Sequence, residues 1–97
     1  LKEKFIQYCT GTLHLTTDAA QSVYGRIGSN IDAFRKVLRT TPPTGNLIDF
    51  CVGTLDLTPV MAASIYVNQS ENPSILVDLV NEVWPQTQRA GGAGTGV

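Results

Sequence analysis

Offset by 42 residues and laid over itself, this 97-residue chain matches without a gap: residues 6–43 and 48–85 share 12 identities in 38 positions. The identical pairs are Ile6/Ile48, Cys9/Cys51, Gly11/Gly53, Thr12/Thr54, Leu13/Leu55, Leu15/Leu57, Thr16/Thr58, Ala20/Ala62, Ser22/Ser64, Tyr24/Tyr66, Asn30/Asn72 and Pro43/Pro85. Unrelated segments would share roughly two or three, so the chain reads as one unit present twice, at about 5–43 and 47–85. Other pairs are apolar exchanges, such as Tyr8/Phe50, Val23/Ile65, Phe34/Leu76 and Val37/Leu79. The two copies are therefore expected to use the same positions for their cores.

Helix punctuation divides each copy into three. The first segments, Phe5 to Thr10 and Leu47 to Val52, end at Gly11 and Gly53, which suit a left-handed position after a helix. The second segments start after Thr16 and Thr58, whose hydroxyls can accept from free backbone N–H groups. Asp18 favours the helix dipole in one copy and Pro59 fills the first helical position in the other. The third segments start at Asn30 and at Asn72-Pro73, and carry apolar stripes at helical spacing: Ile31, Phe34, Val37 and Leu38, then Ile75, Leu76, Leu79, Val80 and Val83. The brief alternation from Gly53 to Thr58 is read as a connector.

Thr41-Pro42-Pro43-Thr44-Gly45 breaks the helical pattern between the copies. One three-helix unit of this size buries too little to stand alone, so the expectation is an all-α domain over 1–89, with about six short helices as two tandem three-helix repeats on a shared core. The run 90–97 is glycine-rich and reads as a flexible tail; it lacks the lysine and following helix of a phosphate-binding loop. The opening Leu1-Lys2-Glu3-Lys4 suggests a domain excised from a longer polypeptide, and no apolar stretch is long enough to span a bilayer. Localisation is not readable beyond a weak preference for an intracellular setting.

Chemistry is sparse. Two cysteines at equivalent apolar positions read as buried free thiols, and with one histidine they make no zinc-spaced set, so no metal and no cofactor are expected. His14 is replaced by Asp56 in the second copy, which marks an exposed connector position rather than a catalytic base. Among the carboxylates, Asp78 and Glu82 share a helical face, a spacing more typical of a solvated surface than of acid–base work. The expectation is a non-enzymatic protein.

Charge carries what functional signal there is. Residues 1–43 hold Lys2, Lys4, Arg26, Arg35, Lys36 and Arg39 against Glu3, Asp18 and Asp32, a sum of +3; residues 44–97 hold Arg89 against five acids, a sum of −4. Arg35, Lys36 and Arg39 are placed on the polar side of the third helix, where the second copy has Val77, Asp78 and Asn81. Such polarity suits an acidic partner on the first copy, or self-association through oppositely charged halves. Trp84, at the end of the last helix, is either a lid on the core or a contact anchor.

The stretch Met61 to Pro73, with Ala62, Tyr66 and Asn68 followed by an apolar helix, resembles the middle of an armadillo/HEAT-like repeat, and the period and the three helices per unit agree. Gly45 before Asn46-Leu47-Ile48 is similar to the glycine preceding that repeat's third helix. The resemblance implies protein binding along helix surfaces, with Asn68 as the one transferable ladder asparagine; Arg26 stands in its place in copy one. Leu15 to Ala20 leading to Gly28-Ser29-Asn30-Ile31-Asp32 and Phe34 also resembles the three-helix lid of clamp-loader-type ATPases, which would make the chain an accessory domain of a nucleic-acid machine. The acidic second copy disfavours direct nucleic-acid contact. The candidate partner-binding residues are thus Arg26, Arg35, Lys36, Arg39, Asn68 and Trp84.

Overall fold

Two threonine hydroxyls set the starts of the longest helices. In the computed structural model, which describes residues 1–85, Thr16 accepts from the Ala19 N–H at 3.1 Å and Thr58 from the Met61 N–H at 3.2 Å. Helix α2 (Thr17–Ser29) and helix α5 (Pro59–Glu71) follow, with Pro59 in the first turn, where its missing donor costs nothing. Before them lie α1 (Lys2–Gly11) and α4 (Gly45–Gly53), and after them α3 (Ile31–Arg39) and α6 (Ile75–Val83). The fold is all-α, with no strand among the described residues; the stretch 90–97 lies outside them.

Both connectors into the long helices turn in the same way. Leu13 and Leu15 donate to the carbonyls of Tyr8 and Cys9, and Leu55 and Leu57 to those of Phe50 and Cys51, which turns both leucines of each pair into the core. Between them His14 and Asp56 project outward with φ of 59° and 58°. The left-handed position expected at Gly11 and Gly53 is therefore three residues later. Both glycines are still helical, and Thr12 and Thr54 follow in right-handed geometry. Aspartate and histidine visit this region more readily than most side chains, yet each pays about 1–2 kcal/mol for it.

The third helices depart from expectation too. Asn30 precedes α3 but makes no side-chain cap; its Nδ2 donates back to the Arg26 carbonyl at 2.8 Å and closes the end of α2 instead. Helix α6 begins at Ile75, so Pro73 lies before the helix rather than in its first turn. Gln69 supplies the reason: its Nε2 donates to the Pro73 carbonyl at 3.1 Å and to the Leu38 carbonyl at 3.0 Å, which fixes the turn outside the helix.

One apolar cluster draws on all six helices. Helix α1 packs on α2 and α6, α4 packs on α5 and α3, and α3 also meets α2 and α6. Phe34 of α3 stacks on Phe50 of α4 at 5.7 Å, and Ser64 of α5 donates to the Leu13 carbonyl at 2.6 Å. The core positions fall 42 residues apart: Phe5 and Leu47, Leu13 and Leu55, Ala20 and Ala62, Val23 and Ile65, Phe34 and Leu76 are all buried. Cys9 and Cys51 are buried free thiols, and burial pushes both from an ordinary 9.0 up to about 12.

Candidate interaction site

Several residues expected to meet a partner are engaged inside the molecule. Arg35 is only 7% exposed, not on the polar side of α3: at its helical position the guanidinium turns toward α6, where Nε donates to Asn81 Oδ1 at 3.3 Å and Nη2 donates to the Trp84 carbonyl. Asp32, one turn earlier and exposed, lies 3.6 Å from its Nη1. Trp84 rests half-buried on Phe5 and Tyr24, with ring centroids 5.2 Å away in each case. Its indole nitrogen would lie 3.3 Å from a Cβ at position 28, so Gly28 leaves the ring room to seat. Asn68 accepts from the Tyr8 hydroxyl at 2.7 Å; burial, only partly offset by this bond, raises the Tyr8 pKa.

The charge polarity of the two halves is partly satisfied internally. Lys4 pairs with Glu82 at 2.8 Å, and Arg26 lies 3.9 Å from Asp56 while also donating to Ser22. Both pairs are exposed, so each adds little to stability. Lys36 and Arg39 stay exposed, and neither has a carboxylate in ion-pairing range among the described residues. Arg39 joins Arg35 and Asn81 around a small notch of about 70 Å³ between α3 and α6, floored by Leu38 and Val80. Asn81 accepts from Arg35 through Oδ1 and lines the same space as the two guanidinium groups. The notch has the chemistry of a carboxylate receptor.

A second surface lies on the other flank of α6. Val60 is 80% exposed, Val67 52% and Ile75 47%. Val60, Ala63 and Val67 fall at helical spacing along α5 and line a groove of about 400 Å³ with Thr12 and His14. A neighbouring groove of about 420 Å³ runs between α1 and α6 and includes Ile75 and Leu79. Tyr8 lines one groove and Asn68 the other, so their hydrogen bond is the divide between them. Glu71, Asp78 and Glu82 stand along the edges of these grooves, which gives the apolar surface an acidic rim.

The residues of this stripe were missed in the sequence, although the internal alignment contains the signal. The positions equivalent to Val60, Ala63 and Val67 are Asp18, Gln21 and Gly25, all exposed on α2. An outward face that is polar or small-residue on α2 and apolar on α5 is a difference that core packing does not require. Among the described residues no three metal-ligating side chains come together, and no helix is long and apolar enough to cross a membrane. Compared with protein-family models, curated proteins and solved structures, the chain matches none.

Proposed function

We propose that this chain is a non-catalytic protein-interaction module that binds through the α5–α6 face. One observation carries the reading: the row Val60, Ala63, Val67 is exposed where the equivalent face of α2 is polar. An isolated surface valine is ordinary, whereas a helical row of apolar side chains lining a groove with a carboxylate rim is what a partner helix requires. The recurrence of threonine cap, left-handed connector residue and core positions 42 residues apart supports reading the two trios as tandem copies whose surfaces diverged. The likeness to armadillo-type repeats, which bind proteins through helix surfaces, agrees with this role.

The test is a titration followed by methyl NMR with valine and isoleucine labelled. The probe is a helical peptide of leucine and lysine with its leucines on one face; its counterpart carries glutamate in place of lysine. Shifts at Val60, Val67 and Ile75 with the lysine peptide, and none with the glutamate peptide, are expected from the acidic rim. The reading fails if neither peptide moves these methyls and the chain shows no self-association. A DNA oligonucleotide that binds with steep salt dependence, and loses binding in Lys36→Glu/Arg39→Glu, would replace it with the nucleic-acid role.

A further inference from the structure

We propose that the occupant of the α5–α6 face is a second copy of this chain, docked by the α3 edge that carries the cationic notch; this rests on the interaction reading above. The two surfaces complement each other in charge. On the α3 edge Asp32 lies against Arg35, which leaves Lys36 and Arg39 as exposed cations with no ion-pair partner among the described residues. On the groove face Lys4 pairs with Glu82, which leaves Glu71 and Asp78 as exposed carboxylates with no ion-pair partner among the described residues. Two cations thus meet two carboxylates, and a carboxylate arriving at the notch would find Arg39 and an Arg35 already locked in place by Asn81 and the Trp84 carbonyl. A preset guanidinium loses little freedom on binding, so it favours one geometry of approach.

The placement of the surfaces also fixes the symmetry. Ile75, Asp78 and Leu79 face the groove, whereas Val77 and Asn81 face the notch, so the two surfaces lie on opposite flanks of α6. An isologous pair needs one patch that complements itself. Here two different patches meet, so the contact is head-to-tail, and copies add in series until a ring closes.

Sedimentation velocity on the full chain, from micromolar to millimolar, tests this. The average mass should rise with concentration and fall as salt is added. Two double variants separate the surfaces: Val60→Asp/Val67→Asp spoils the groove face, and Lys36→Glu/Arg39→Glu spoils the notch edge. Each alters only exposed side chains, and circular dichroism checks that each is folded. Each alone should associate roughly tenfold more weakly or worse. Mixed, they should give a one-to-one pair and stop there, because the intact edge of the first meets the intact groove of the second, while the remaining acidic surfaces repel. A wild-type chain that is monomeric at millimolar concentration overturns the proposal, as does a mixture that stays monomeric or a folded variant that associates like wild type. If the wild type is monomeric while the lysine peptide still shifts Val60 and Val67, the second copy is excluded and the interaction reading stands.

Discussion

Helices α2 and α5 start from the same threonine cap, have the same length and bury equivalent residues, yet they present opposite outer faces. Asp18, Gln21 and Gly25 on the first give way to Val60, Ala63 and Val67 on the second. Their inner faces differ at one telling position, where Ile27 is buried in the first and Gln69 in the second. The outer change costs the fold little, because those residues are exposed. The inner change is tied to architecture, because Gln69 holds the turn before α6. Comparing the two shows which differences the fold imposes and which it leaves free.

The sharpest way to break the comparison is at the junction between the trios. Phe34→Ala removes a buried ring that stacks on Phe50, and should cost about 3–5 kcal/mol in a urea melt. A single transition for that variant would show that both trios unfold together; two separate transitions would show that each trio holds alone. Exchanging the inner residues comes next. Ile27→Gln should cost about 3 kcal/mol, since it buries an amide with no turn to hold. Gln69→Ile should cost only about 1 kcal/mol: two bonds to the Leu38 and Pro73 carbonyls are lost, but an Oε1 without a partner among the described residues is removed. Equal costs in the two directions would show that Gln69 is not adapted to its turn.

The thiols should make the trios look alike. Cys9 and Cys51 are raised from 9.0 to about 12 in the folded chain, while the unfolded chain loses their protons near the ordinary value. Their contribution to stability is therefore intact below pH 9 and falls as pH climbs from 9 toward 12, by roughly 1.4 kcal/mol per thiol per pH unit. Urea melts across that window should show a shallower decline in Cys9→Ala/Cys51→Ala, and a thiol reagent should label both cysteines only as fast as the chain opens. The smallest effect concerns the connectors. His14→Gly and Asp56→Gly should each shift stability by no more than about 1 kcal/mol, relief of left-handed strain being offset by a looser unfolded chain. His14→Val should be clearly worse than His14→Gly in the same thermal melt.

Much of the helical plan could be read from the residues, because capping threonines, prolines and apolar periodicity act locally. Thr16, Thr58 and Pro59 do what their chemistry suggests, and the paired leucines are buried. The departures came from contacts distant in sequence. Arg35 looked like a surface cation because nothing near it in sequence announces Asn81 on the neighbouring α6 or the Trp84 carbonyl at its end. The start of α6 shifted because a glutamine on another helix holds the Pro73 carbonyl. Of the expected contact residues, Arg35 and Arg39 do converge, Lys36 lies exposed on the same helix, and Arg26, Asn68 and Trp84 are engaged within the chain. Val60 and Val67 escaped notice because an apolar residue in a helix is first taken for core; only comparison with the exposed Asp18 and Gly25, 42 residues earlier, betrays them.

The return of α6 onto α1 brings the first and last described helices side by side, with Lys2 over the ring of Tyr24 and Trp84 against that same ring. A polypeptide carrying these helices therefore enters and leaves at one spot, like a bud on a stem. Such a body can be spliced into a surface loop of a host protein without prying the host apart. By the same token, joining the two ends and cutting at Thr41-Pro42-Pro43 should give a permuted chain with the same six helices.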